Sequence, residues 1–323
     1  MNALIPSIIF AIGLFTAAEH RKPSYKWSLA APAGSGCFQP NCEPGKFPMA
    51  VAPVTGFGDK LYLIGDRAVW ISEDGVRWAA PKPKTDWQER YGHRYAYFKG
   101  KLWMFGGMKT WDDFRNDVWA SDDSVEWKQV VQNAPWKKRR GHGAVVFDDK
   151  LLVIGGSISS GRRDRTPTEA LNDVWSTADG MNWKQVVANA PWTPRECHTA
   201  LVFANKIWLI GGPGMREIWS STNGRDWTRV TENAGFGYRE GGAAGVFDGK
   251  MWVYGGVEKN DVWHSTDGLK WTKAFDAAPW STRSTTYSTV YNNRLLLFSG
   301  KTGRADTQQG EIWAMARTAE RSE

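Results

Sequence analysis

Hydrophobic and polar positions alternate in short runs along most of this chain, and each run stops at a turn. In the stretch around residues 142–187, an alternating run from His142 to Phe147 ends at Asp148-Asp149, and Lys150–Ile154 runs into Gly155-Gly156. Asp173-Val174-Trp175 and Trp183–Val187 then flank Asp179-Gly180. Val, Ile, Phe and Trp in runs of this length suit pleated, half-buried surfaces, and Asp-Gly suits a hairpin because glycine accepts positive φ. The pattern predicts four short antiparallel strands, a to d.

The same skeleton occurs six times. Its strand-c tryptophan falls at Trp70, Trp119, Trp175, Trp219, Trp263 and Trp313, at spacings of 49, 56, 44, 44 and 50. Once the stretch between each glycine pair and its tryptophan is removed, every remainder is 37. All length variation therefore sits in the b–c loop. A second tryptophan follows 8 residues later at Trp78, Trp127, Trp183, Trp227 and Trp271. A four-stranded unit of this size cannot bury both its faces alone, so the repeats predict an array about an axis.

The glycine pairs at Gly106-Gly107, Gly155-Gly156, Gly211-Gly212 and Gly255-Gly256, with aromatics on strands c and d, resemble the kelch family. The Ser-x-Asp-Gly-x-x-Trp hairpin is similar to the Asp-box of sialidase propellers, with one residue fewer before the glycine. Asp66, Ser299 and Ser124 depart from the pattern in repeats 1, 6 and 2. The resemblance implies an all-β, six-bladed β-propeller of four-stranded blades over residues 24–317. Repeat 6 lacks its own strand d, and the N-terminal strand around Trp27 is expected to supply it and close the ring.

Outside the repeats, residues 1–18 carry no charged side chain and end in Thr16-Ala17-Ala18. They read as a signal peptide, too short for a membrane span. Export makes the chain secreted or periplasmic, with no stable membrane span after cleavage, and Cys37 and Cys42 a local disulfide. Residues 318–323 form a polar tail. Cys197 reads as a small core residue on strand a; a nucleophilic pairing with His198 is opposed by strand alternation.

Strand parity places the d–a links and the variable b–c loops at one end of the molecule, called here the first face. The links carry Trp87, Trp136, Trp192, Phe236 and Trp280, then Arg90, Arg139, Arg195, Arg239 and Arg283, then His93, His142 and His198. Two readings follow. The aromatics and arginines cap the grooves between blades, or they bind an anionic or sugar-like ligand. The histidines are expected in a hydrogen-bond network rather than around a metal, and no cofactor is implied. Arg162 and Arg163 in the long loop of repeat 3, Lys137 and Lys138 in the neighbouring link, and the formal charge of +7 favour an anionic partner. An anionic glycan, a cell-surface component or a protein fits, and nucleic acid does not. The expected function is a binding module working through the first face. The alternative is a sugar-acting enzyme at the same place: a mutarotase or epimerase using Arg239 and Glu240, a sialidase, or a metal-dependent lyase using the three histidines.

Overall fold

The computed structural model describes residues 24–31, 52–57, 60–64, 69–79, 90–110, 112–159, 169–239, 241–283, 287–298, 301–302, 307–308 and 311–318. Among these all regular structure is β. Repeats 2 to 5 each form a four-stranded antiparallel sheet in the order a-b-c-d, as in Gly143–Phe147, Lys150–Ser157, Ala170–Thr177 and Trp183–Val187. Repeat 6 supplies Tyr287–Tyr291, Arg294–Phe298 and Ile312–Arg317. Its fourth strand is Tyr25–Ala31 from the other end of the chain, with Trp27 opposite Met315.

The expectation of six four-stranded blades is corrected: among the described residues five such blades are present. Repeat 1 is a three-stranded sheet of Ala52–Phe57, Lys60–Ile64 and Val69–Ser72. Among the described residues its fourth position shows one bridge, Ile71 to Ala79, with N···O distances of 2.8 and 2.9 Å. Pro81 and Pro83 follow directly, and neither has an N–H to donate to a ladder. The strand Ala52–Phe57 runs between the innermost strands of repeats 6 and 2, and the other innermost strands neighbour one another in chain order.

The apolar core lies between successive sheets. One cluster joins Phe105 and Val118 of repeat 2 to Leu151, Val153 and Trp183 of repeat 3, with Trp136 from the link between them. The link aromatics into repeats 3, 4 and 5 pack edge-on against the strand-d tryptophan of the blade they enter: Trp136 on Trp183 at 5.9 Å, Trp192 on Trp227 at 5.9 Å and Phe236 on Trp271 at 5.0 Å. In the last blade Trp280 meets Trp27 at 4.2 Å, so the N-terminal strand occupies the same station as a resident strand d.

The turns are of two rigid kinds. The a–b turns hold both central residues at positive φ, as at Asp148 (49°) and Asp149 (54°), which matches the twist of the strands they join. The c–d hairpins are tied by their own side chains. Asp179 accepts from the backbone N–H groups of Met181 and Asn182, and the Thr177 hydroxyl accepts from Gly180 N–H. The equivalent Asp74 would be lifted by burial, but the Arg77 and Val76 amides, the Arg77 guanidinium and the Ser72 hydroxyl hold it at about 2. Gly180 is required on two counts: its φ is +80°, and a Cβ would lie 2.0 Å from the Trp103 ring of the preceding blade.

Candidate functional site

The first face is held together by hydrogen bonds between links and b–c loops. Ala134 N–H donates to Asn116 O at 2.9 Å, and the Asn116 amide donates to Ala134 O and Trp136 O at 2.8 and 3.2 Å. Arg139 N–H donates to Arg115 O at 3.0 Å and Gly107 N–H to Arg139 O at 2.8 Å. The long loops sit on this scaffold. That of repeat 2 carries the short ladder Met108–Thr110 with Asp113–Phe114, and repeat 3 extends its b and c strands to 8 residues each.

The arginines of the links are buried, and each holds a carboxylate at the entry to strand c of its own blade. Arg90 pairs with Asp117 at 2.6 and 3.0 Å, Arg139 with Asp173 at 2.7 Å twice, and Arg239 with Asp261 at 2.6 and 2.9 Å. Arg195 pairs with Glu217, and Arg283 with Glu311 at 3.1 Å. The carboxylate also accepts from the strand-c indole, as Asp173 does from Trp175 at 2.8 Å, and the guanidinium also donates to the first glycine's carbonyl, as Arg139 does to Gly155 at 2.9 Å. Arg139, Arg195 and Arg239 lie 5.5–5.9 Å from the rings of Trp136, Trp192 and Phe236. In repeats 2 to 5 each guanidinium thus ties strand c, the end of strand b and the link into one corner.

The carboxylate half of this clamp escaped the sequence reading, although its signal is there. Repeats 2 to 6 carry both the link arginine and an acid before Val/Ile-Trp, whereas repeat 1 has Ala68 at the acid position.

The histidines are enclosed rather than grouped. His93, His142 and His198 are all buried. His142 fills the space over Gly106 of the preceding blade, where a Cβ would lie 2.7 Å from its ring, and His198 stands over Gly143 and Gly155 in the same way. Among the described residues no hydrogen-bond partner reaches either ring nitrogen of His142, and no three metal-ligating side chains converge. Burial holds all three imidazoles well below 6.5, with Arg90 and Arg94 adding to it at His93, Arg94 and Arg139 at His142, and Arg195 and Arg94 at His198.

Gly92, Gly141 and Cys197 occupy equivalent left-handed positions, with φ of 64°, 60° and 51°. They are stitched across blades: Gly141 N–H donates to Gly92 O and Cys197 N–H to Gly141 O, both at 2.8 Å. Cys197 is therefore not the strand-a core residue expected. It precedes the strand Thr199–Phe203, is partly exposed, and takes a backbone conformation its neighbours give to glycine. Beside it Arg140 of repeat 3 and Glu196 of repeat 4 form an ion pair at 3.0 Å. Trp87, Arg162, Arg163, Cys37, Cys42 and Glu240 lie outside the described residues, as do positions 1–23.

Off the axis, the same face holds a polar cleft of about 160 Å³ in repeat 2, lined by Arg115, Asn116, Asp117, Gln129, Gln132, Asn133 and Lys138. Arg115 is paired with Asp113 at 2.7 Å, and Lys137 and Lys138 are exposed.

Sheets closed by glycine pairs, with paired tryptophans on their outer strands and arginine-tied links, define a kelch-type β-propeller, a scaffold that generally serves as a binding or interaction module. The chain belongs to the kelch-repeat family, with residues 54–222 matching the KLHDC2/KLHL20/DRC7 Kelch-repeats domain. Among solved structures, one titled "Structure of YjhT" is similar at a TM-score of 0.68 and 18% identity, over 85% of this chain and 95% of that one. The comparison with curated proteins gives no match.

Proposed function

We propose that the protein is an exported binding module that takes an acidic glycan, or another anionic cell-surface partner, on the first face. The observation that carries this reading is the cleft in repeat 2. Its lining combines four amide side chains with Arg115 and Lys138. Planar amides suit the hydroxyl groups of a sugar, and cations suit its carboxylates or sulfates. Lys137 beside it is exposed, Arg162 and Arg163 belong to the next repeat's long loop, and the net charge of +7 steers anions toward the protein.

The test replaces Lys137, Lys138, Arg162 and Arg163 together by Ser. Arg139 is kept, because it belongs to a buried clamp. On an array of sulfated, carboxylated and neutral glycans, the wild-type chain binds the acidic members, and the variant loses that binding while its melting temperature holds. Equal binding by both proteins, or none by the wild type, overturns the reading. Export has its own check: mass spectrometry of the cell-derived protein finds a new N-terminus near Ala18, and a retained Met1 refutes it.

A further inference from the structure

We propose that Asn223 is a covalent modification site: it deamidates to aspartate or isoaspartate, and the folded c–d hairpin of repeat 4 holds the reaction back. This hairpin joins Ile218–Ser221 to Trp227–Thr231 at the end of the molecule opposite the first face, and no ligand is involved.

Asn223-Gly224 is the one Asn-Gly step in the sequence. Repeats 1, 3 and 5 carry Asp-Gly at this station and repeat 2 carries Asp123-Ser124, so only the hairpin of repeat 4 has an amide there to lose. A glycine nitrogen has no Cβ beside it and approaches the preceding side chain most easily. The Gly224 nitrogen gives up its proton to water and attacks Cγ of Asn223. The new N–Cγ bond closes a cyclic imide, the Cγ–Nδ2 bond breaks, and Nδ2 leaves as ammonia with a proton regained from water. Water then opens the ring. Cleavage at Cγ gives aspartate, and cleavage at the main-chain carbonyl gives isoaspartate.

The hairpin opposes the first step. Gly224 is buried, and its N–H donates to Ser221 Oγ at 2.8 Å, so the attacking nitrogen is already engaged. Asn223 Oδ1 accepts from the Arg225 and Asp226 N–H groups at 2.8 Å each, and Nδ2 donates to Asp226 Oδ2 at 2.8 Å. These bonds commit the amide to the residues beyond Gly224 rather than to Gly224 itself. In repeat 3 the polarity is reversed, with Asn182 Nδ2 donating to Asp179 Oδ2 at 2.7 Å. Aspartate at position 223 would therefore set a second carboxylate against Asp226. Isoaspartate does more, because it adds a carbon to the main chain next to Gly224, where a Cβ would already lie 2.8 Å from Leu152 of repeat 3. Reaction thus needs the hairpin to open locally, and the product closes less well.

The experiment incubates the full-length chain at mildly alkaline pH, native in buffer and unfolded in urea, and follows the tryptic peptide Glu217–Arg225 by mass spectrometry. Conversion at Asn223 is at least about tenfold faster in the unfolded chain. Ser221→Ala raises the native rate several-fold and leaves the unfolded rate unchanged. Ser221→Thr, the residue repeat 3 carries as Thr177 with the same bond to its glycine, keeps the native rate slow. Native chain enriched in isoaspartate melts below the wild type, with Asn223→Asp between them. Hydrogen exchange of the Gly224 amide gives a check that needs no variant: folding protects it from exchange at least as strongly as it slows deamidation. No conversion in the unfolded chain overturns the proposal. So do equal rates in the two states, a native rate indifferent to Ser221→Ala, or a Gly224 amide that exchanges as in the unfolded chain.

Discussion

Replacing Asp173 by Asn tests the clamp that recurs through repeats 2 to 6. The Arg139 side chain is 0% exposed and that of Asp173 10% exposed. The substitution leaves the guanidinium buried with two backbone carbonyls, Gly155 O and Lys137 O, and no counter-charge. Breaking one partner out of a buried pair costs about 3–5 kcal/mol. At roughly 2 °C per kcal/mol for a domain of this size, the melting temperature falls by about 6–10 °C. Guanidinium unfolding followed by fluorescence of the 20 tryptophans measures the same loss as free energy. A cycle with Arg139→Met and Asp173→Leu should show coupling of more than about 1 kcal/mol, with the double variant less destabilised than the worse single. The control is Asp276→Asn, which removes an exposed partner of Lys273 and should cost less than about 0.5 kcal/mol. A cost below about 1 kcal/mol for Asp173→Asn, or coupling within the error of additivity, would falsify the clamp as a stabilising device.

Three further outcomes are expected. The buried histidines stay neutral in the fold while the unfolded chain takes up protons below 6.5, so stability is complete above that pH and falls below it. The limiting slope is about 1.4 kcal/mol per pH unit for each histidine; a denaturation midpoint that stays level from pH 7 to 5 contradicts their burial, and His142→Asn should lower the slope by about a third. Gly180→Ala, with its φ of +80° and the Trp103 ring in the way, should cost several times the ~1 kcal/mol expected of Gly249→Ala, where φ is +67° and nothing lies within 4 Å; equal melting temperatures refute the close approach. Trp27→Ala should cost about 3–5 kcal/mol and expose the edge of Ile312–Arg317, seen as concentration-dependent association in sedimentation; an unchanged, monomeric protein denies the closing role of the first strand.

The periodic parts of this molecule were legible because each depends on neighbours in sequence. Alternation, turn residues and the constant remainder of 37 defined the strands, hairpins and the one variable loop without any coordinates. The number of complete blades was not legible. Trp78 sits in register for a strand d, but a ladder needs successive backbone donors, and the sequence beyond Ala79 offers Pro81 and Pro83, which have none; among the described residues repeat 1 shows a single bridge there.

The roles of the arginines and histidines also waited for the fold. Their regular spacing allowed a ligand ring as readily as a set of clamps, because the partner carboxylates lie 22–34 residues away in sequence and meet them only when strand c folds back. The same holds for Cys197, which its own repeat gives no reason to place in a left-handed turn stitched to the neighbouring blade. Sequence alone determined what each repeat is, since that rests on local alternation and turn chemistry. Tertiary structure decided which charges are paired inside the blades, since that depends on distances between strands that no spacing along the chain encodes.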